Sequence, residues 1–260
     1  MIILKVGGGS TINHAGIAAG VGALDKVIIV HGANAARDKL AEDLGRPKKT
    51  VTSVSGYESV LADEQALDAM LMAYPGLIGK RFVEHLQQAG VNAIGLAGID
   101  GKVIQGRRNR GIRVEENGKK IMKHDLSGKP QAVNKELLRL LLEHDYTPVL
   151  TVPILDEQNV AISSENDDIV VKLQEAFQAE KIIHFIEAPG FLDDKDDEAS
   201  LVSRMTQAEL AEREEQTAGR MKRKMLALRK LFAAGAREVV IADGRTENPV
   251  QDAHKGTVIT

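Results

Sequence analysis

Short apolar segments that end in glycine recur in this chain and constrain its fold more than any other feature. Residues 2–6 are followed by Gly7-Gly8-Gly9, and residues 26–30 are followed by His31-Gly32. Continuous apolar runs of this length are typical of strands that are buried on both faces of a parallel sheet. Helical patterns separate the runs, so the sequence predicts an alternating α/β chain with a mainly parallel central sheet.

The rest of the chain continues this alternation. Further strands are predicted over 91–96, 147–152, 181–186 and 238–242. Helices are predicted over 63–88 with a kink at Pro75-Gly76, over 166–179 with Asn166 as the N-cap, and over 221–234 with Gly235 as the stop.

Composition excludes several classes of protein. The 260 residues carry a net charge of -3, and aromatic residues make up 3%, which argues against general nucleic-acid binding. No cysteine is present, which excludes disulfides, thiolate metal sites and a cysteine nucleophile, and which fits a reducing cytoplasm. No apolar run approaches the roughly 18 residues of a membrane span. The seven histidines show no His-x-x-x-His pair, so a zinc site has no support.

Three groups of residues could bind an anion or a nucleotide. Lys5 lies inside an apolar strand before a glycine loop, where its ammonium group needs a bound anion or a carboxylate. Asp167 begins a predicted helix and could organise lysines and a magnesium nucleotide, or it could simply favour the helix dipole. The run Gly219-Arg220-Met221-Lys222-Arg223-Lys224 could bind a triphosphate or form a solvated face.

A basic segment follows the third predicted strand. Between Arg107 and Lys123 there are seven Lys or Arg residues, with Asn117-Gly118 in the middle. Asn-Gly between short alternating runs is a strong hairpin signal, so we expect a protruding basic hairpin within 103–123.

These motifs together resemble the amino acid kinase family, in its acetylglutamate kinase-like branch. The resemblance extends over essentially the whole chain, and it is carried by the following segments: Lys5-x-Gly7-Gly8, Val30-His31-Gly32, residues 91–100, Ala188-Pro189-Gly190-Phe191-Leu192 and residues 219–224. Within the branch, the chain most resembles kinases that phosphorylate L-2-aminoadipate or glutamate on an amino-group carrier protein, in lysine and arginine biosynthesis. Gly106-Arg107-Arg108 and residues 242–249 support that likeness.

The resemblance implies an open αβα sandwich of the carbamate kinase-like type and a set of site residues. An acceptor lobe, 1–160, and an ATP lobe, 161–260, would share one continuous sheet. Lys5, Lys224 and Asp167 are expected to be catalytic, with Mg²⁺ arriving on ATP. The residues expected to bind ATP are Gly7, Gly8, Gly32, Ala33 and Lys222.

The family also implies partners. Arg107, Arg108 and Arg110 would dock a small acidic carrier protein, since opposite charges steer such encounters. A homodimer is expected through Met70, Tyr74, Leu77 and Ile78. Nucleic acid and membrane partners are not expected, and the location is expected to be cytoplasmic.

The chain departs from the family where the acceptor should bind. The expected positions are occupied by Val60 instead of an arginine, by Ser163 instead of an asparagine, and by Asn34 in the second glycine loop. A valine cannot make a bidentate contact with a carboxylate. Two alternatives therefore stay open: the same phosphoryl transfer to a different small acceptor, and a nucleotide-binding homologue with weak or no kinase activity.

Overall fold

The structure is a computed structural model that describes residues 1–52, 54, 58–116, 119–217 and 219–260. The predicted Asn117-Gly118 turn lies outside the described residues. The strands in chain order are β1 (Ile2–Val6), β2 (Val27–His31), β3 (Thr50–Thr52), β4 (Glu58–Val60), β5 (Ala93–Ala97), β6 (Ile104–Arg108), β7 (Ile112–Glu116), β8 (Lys119–Lys123), β9 (Gly128–Val133), β10 (Thr147–Thr151), β11 (Ile154–Leu155), β12 (Ala161–Ile162), β13 (Lys181–Ile186), β14 (Arg204–Met205), β15 (Val239–Asp243) and β16 (Thr257–Ile259).

Helices connect most of these strands. In chain order they are α1 (His14–Val21), α2 (Asn34–Asp43), α3 (Glu64–Leu71), α4 (Gly79–Gln88), α5 (Lys135–Glu143), α6 (Asn166–Phe177), α7 (Gln207–Gln216), α8 (Gly219–Ala233) and α9 (Pro249–Asp252). A π-helical segment, Met72–Ile78, joins α3 to α4, and short 3-10 turns occur at Asp100–Lys102, Glu198–Ser200 and Ala253–Lys255.

An eight-stranded sheet forms the centre of the protein. Its order is β14-β16-β15-β13-β1-β2-β10-β5, and all neighbouring pairs are parallel except β15 with β16. β1 therefore lies between β2 and β13, which places the first strand of the chain in the middle of the sheet. Strands from both predicted lobes take part, although the assignment of a function to each lobe stays a prediction.

Helices cover both faces of this sheet. Because side chains alternate along a strand, Ile3 of β1 packs in one core cluster with residues of α5, α6 and α8, whereas Leu4 and Val6 pack in a second cluster with residues of α1 and α4. The result is three layers, helix–sheet–helix. The predicted αβα sandwich with a mainly parallel sheet is confirmed.

The basic hairpin is shorter than predicted. Within the predicted hairpin, the two strands that pair with each other are β7 and β8, with Ile112 opposite Lys123. Arg107 and Arg108 belong instead to β6, which lies in a separate four-stranded sheet of order β12-β11-β6-β9. Alternation predicts that two strands pair, but it does not reveal which strand pairs with a third one.

The region predicted as a helix over 63–88 is helical from Glu64 to Gln88, and a π-helical segment lies where the kink was predicted. Asp63 caps α3 by accepting a hydrogen bond from the backbone N–H of Ala66. Pro75 lies within the π-helical segment. Because a proline cannot donate the usual helical hydrogen bond, the α-helical pattern is broken around it. No described helix is long and apolar enough to cross a membrane.

His14, His31 and His184 are histidines that packing removes wholly or partly from solvent. His31 is 1% exposed and His184 is 6% exposed, while half-buried His14 contacts Phe82 edge to face. Burial lowers the pKa of each of the three from 6.5 to about 4. All three are therefore neutral at pH 7.

We expect the free energy of unfolding to decrease as the pH falls from about 6.5 towards 4. In this range the unfolded chain binds protons on these histidines and the folded chain does not, so acid favours unfolding. Three such groups give a slope of about 3.5 kcal/mol per pH unit near pH 5. Urea unfolding at pH 7.5, 6 and 5 measures this slope.

A pair of glutamine variants tests the assignment. His184→Gln should remove about a third of the slope, whereas His144→Gln, at an exposed position, should leave it unchanged. A free energy of unfolding that is constant between pH 7.5 and 5 would contradict the prediction.

Candidate active site

The carboxyl ends of β1 and β2 lie side by side and open into a cavity of about 870 Å³. Val6 pairs with His31 in the sheet, so Gly8 and Gly32 follow at the same edge and both line the cavity. Asn34 and Asp167, from the first turns of α2 and α6, line it too. This edge of a parallel sheet is where α/β proteins generally bind ligands.

Lys5 and Asp167 form an ion pair in this cavity. The distance between Lys5 Nζ and Asp167 Oδ1 is 3.1 Å, and the side chains are 15% and 27% exposed. An ammonium group in an otherwise apolar strand needs such a partner, since an unpaired charge in low dielectric is costly. The pair joins the central strand to the first turn of α6.

The surrounding charges keep Asp167 ionised. Burial alone would raise the pKa of its carboxyl group, but the ammonium groups of Lys5 and Lys224 hold that pKa below its ordinary value. Lys224 lies in α8 and is close enough to contribute to this effect. The structure thus brings Lys5, Asp167 and Lys224 into one neighbourhood, while their catalytic roles stay predictions. Lys222 is exposed on α8.

The two glycine loops pack directly against each other. A Cβ atom at Gly8 would lie 2.5 Å from the backbone nitrogen of Ala33, and one at Gly32 would lie 2.9 Å from the nitrogen of Gly8. No larger residue fits at Gly8, because its neighbours there include backbone atoms. The close approach sets the loop against the amino-terminal end of α2.

The N–H groups of these loops are not equivalent. Gly7 donates to Phe185 O and Gly32 donates to Val6 O, both at 2.9 Å. Those two groups therefore hold the loops to the strands. The N–H of Gly8 has no hydrogen-bond partner among the described residues, so it can serve a bound anion. Phosphate binding by the predicted residues Gly7, Gly8, Gly32 and Ala33 stays a prediction.

Two buried polar atoms in the cavity wall, Ser164 Oγ and Asn166 Oδ1, have no hydrogen-bond partner in the part of the chain that the structure describes. Asn166 Nδ2 donates to His31 O at 2.9 Å, which fixes the amide against β2. Buried polar atoms are normally paired, so a ligand with hydrogen-bond donors would complete this wall. The prediction that Asn166 caps α6 is wrong: Glu165 is the N-cap, and Asn166 is the first helical residue.

The three predicted acceptor positions all line the cavity: Asn34, Val60 and Ser163. Val60 ends β4 and is 43% exposed, so it presents an apolar surface. Ser163 is held by its backbone, whose N–H donates to Leu126 O at 2.7 Å. Contact of these residues with an acceptor stays a prediction.

The three arginines predicted to dock a partner have different surroundings. Arg107 is exposed on β6, and Arg110 is exposed where it lines the cavity. Arg108 Nη2 lies 2.7 Å from Oδ2 of Asp156, a carboxylate that is only 2% exposed. Arg108 is therefore engaged inside the protein, which leaves Arg107 and Arg110 to meet a partner or a ligand.

Glu187 lies against the first glycine loop, beside Gly9, and sequence reasoning missed it. It directly follows β13 and accepts hydrogen bonds from Thr11 N at 2.8 Å and Thr11 Oγ1 at 2.6 Å. These bonds, with the nearby cations Arg245 and Lys224, hold the pKa of Glu187 below its ordinary value although burial opposes them. A polar residue directly after a buried strand, at the edge that carries the glycine loops, was the available signal.

Among the described residues, no group of three or more His, Asp or Glu side chains could hold a metal ion.

Comparison with known proteins identifies close relatives along the whole chain. Residues 1–243 match the sequence model of the Amino acid kinase family. The LysW-aminoadipate kinase of Thermus thermophilus is 42% identical over 100% of both chains. The LysW-aminoadipate kinase of Deinococcus radiodurans is 38% identical over 100% of this chain and 91% of the relative.

The fold occurs in more distant proteins as well. The carbamate kinase of Giardia superimposes with a TM-score of 0.66 at 14% identity, over 99% of this chain and 97% of that one. At that identity the likeness concerns the fold alone.

Proposed function

The chain belongs to the amino acid kinase family, and we propose that it transfers the γ-phosphoryl group of ATP to a side-chain carboxylate to form an acyl phosphate. The family and the kinase class predicted from the sequence are confirmed. The observation that carries the proposal is the Lys5–Asp167 ion pair, with Lys224 nearby, at the cavity where the glycine loops meet.

The proposed reaction needs no general base. One oxygen of the acceptor carboxylate attacks the γ-phosphorus, the bond from that phosphorus to the β,γ-bridging oxygen breaks, and ADP leaves with the electron pair. The acceptor is already ionised at neutral pH, so no proton has to be removed. Catalysis of such a step consists of positioning and electrostatic stabilisation.

The residues of the cavity match these requirements. Lys5 and Lys224 would neutralise charge on the equatorial and leaving oxygens, and Asp167 would hold both ammonium groups in place. The N–H of Gly8 and the amino-terminal end of α2 would meet the β- and γ-phosphates. Lys222 would contact the nucleotide from α8. Mg²⁺ would enter on the nucleotide, because phosphate oxygens are ligands that it prefers.

We propose that the acceptor is aminoadipate or glutamate attached through its amino group to a small acidic carrier protein, in lysine or arginine biosynthesis. The full-length likeness to kinases named for LysW-aminoadipate supports this. Exposed cations on β6 and on the hairpin, Arg107, Arg113 and Lys120, offer a complementary surface. The cytoplasmic location and the absence of nucleic acid and membrane partners stay predictions.

A second candidate is the same transfer to a different acceptor. Val60 and Ser163 favour it, since both line the cavity and neither carries a charge. A homologue that only binds nucleotide is less well supported, because binding alone does not require the Lys5–Asp167 pair together with Lys224.

We expect Lys5→Ala and Lys224→Ala each to lower kcat by about 10²–10³-fold, with small effects on the KM values, since these charges act where negative charge develops. Asp167→Asn should lower kcat similarly without unfolding. Trapping the acyl phosphate with hydroxylamine measures the rate. Lys39→Ala, which removes an exposed lysine of α2 paired with Asp43, is the matched control. Unchanged kcat in a lysine variant would remove that lysine from the mechanism.

We expect the double variant Arg107→Glu/Arg113→Glu to raise the KM for a carrier-borne acceptor about tenfold and to leave the KM for ATP unchanged. Attraction between exposed charges is screened by salt, so the wild-type KM should rise between about 0.05 and 0.5 M salt and the variant's should not. Arg139→Glu, at an exposed position on α5, is the control. An equal effect on free and carrier-borne acceptors would contradict docking at this surface.

We propose that two copies associate through the region from α3 to α4, although not through all the predicted residues. Met70 and Tyr74 are 5% and 6% exposed in a single copy and pack in its own core, whereas Met72 and Leu77 are 42% and 50% exposed. Light scattering at micromolar concentration should show a dimer, and Met72→Glu/Leu77→Glu should give a monomer, because charges are costly in an apolar contact. A monomeric wild type would refute the dimer.

A further inference from the structure

The cavity is lined by several cations, most of which are neutralised within the protein. Arg37 and Lys48 both contact Asp38, at 2.5 and 3.0 Å. Lys49 contacts Asp63 at 2.7 Å. All of these residues line the cavity, so these cations are balanced by carboxylates of the same wall.

Arg110 differs from these cations. It lines the same cavity, and it forms no ion pair with any residue that the structure describes. A guanidinium group presents several N–H donors in a planar fork, and a carboxylate is the group that matches this fork with two hydrogen bonds. An unbalanced arginine in a ligand cavity therefore selects an anionic group of the ligand.

The backbone on both sides of Arg110 is held in place. Asn109 donates to Ser127 twice, from its backbone N–H to the carbonyl oxygen at 2.9 Å and from Nδ2 to Oγ at 2.8 Å. Gly111 has a φ of +111°, which residues with a side chain rarely adopt, and turns the chain into β7. Arg110 therefore lies in a turn whose backbone is fixed on both sides.

The same turn is connected to the reacting end of the cavity. Ser127 forms an isolated parallel bridge with Ser163, and Gly128 N donates to Ser163 O at 2.9 Å. From Ser163 the chain passes directly into α6, which carries Asp167. Arg110 and Asp167 therefore belong to one hydrogen-bonded frame.

We propose that Arg110 binds the α-carboxylate of the acceptor amino acid while the other carboxylate of the acceptor reacts. The inference rests on the proposed function, because only that acceptor class has two carboxylates and a blocked amine. Val60 carries no charge for this task. The cation nearest to Val60 in sequence pairing is Lys49, which precedes Thr50, the residue opposite Val60 in the β3–β4 pair. The charge of Lys49 is balanced by Asp63. Arg110 is thus a specificity-determining residue of the acceptor site.

The test compares two acceptors that differ only at the α-carboxylate. One pair is free N-acetyl-2-aminoadipate and its α-carboxamide. The second pair is 2-aminoadipate attached to the carrier protein through its amino group and the corresponding α-carboxamide. All four keep the reacting carboxylate intact. Wild type should prefer the carboxylate about 10- to 100-fold in kcat/KM, the range for hydrogen bonds to charged groups. Arg110→Ala should use both acceptors equally, at the rate at which wild type uses the carboxamide.

Controls separate the possible outcomes. Arg139→Ala, at an exposed position on α5, should keep the wild-type preference. Arg110→Lys should show a reduced preference, because lysine keeps the positive charge but lacks the planar fork of N–H donors. This variant replaces Arg110→Ala in the comparison if the alanine variant is too slow to measure. A preference that is unchanged in the Arg110 variants, or absent in wild type, overturns the inference. If wild type makes no acyl phosphate from any of these acceptors, the proposed function itself fails.

Discussion

A single ammonium group in the central strand sets the main constraint on this structure. Lys5 lies in β1, between β2 and β13, and points to the face on which α6 packs. Because an unpaired charge there is costly, the fold must bring a carboxylate to it, and Asp167 at the start of α6 supplies it. The pair thereby ties the first strand to a helix from the second half of the chain, and the cavity opens where they meet.

The polar groups around this pair are held in place by hydrogen bonds within the protein. The hydrogen bonds of Gly7, Gly32 and Glu187 hold the loops, and neutral His184 lies beside Lys5 in the sheet. In surroundings of low dielectric, fixed dipoles and charges act strongly and need no reorganisation during a reaction. Among the described residues, the buried atoms Ser164 Oγ and Asn166 Oδ1 have no hydrogen-bond partner, so this wall can accept hydrogen bonds from a ligand.

Local patterns predicted the elements well and their contacts less well. β1 and β13 have the predicted bounds, and α8 ends before Gly235, whose φ is +93°. Periodicity also marked the region from α3 to α4 as helical. It could not reveal that Met70 and Tyr74 pack inside one copy, because apolar spacing is the same for a core face and for an interface.

What the sequence by itself determined is the order of strands and helices, the glycine loops at strand ends and the residue types at the site, because each depends on neighbours within a few positions. Only the tertiary structure decided that Asn166 binds β2 instead of capping α6, and that Arg108 pairs with Asp156 while Arg110 lines the cavity with no ion-pair partner among the described residues. The physical reason is that a side chain's partner depends on which strands pair and which faces become buried. Pairing and burial join residues that are distant in the chain, and no local period records them.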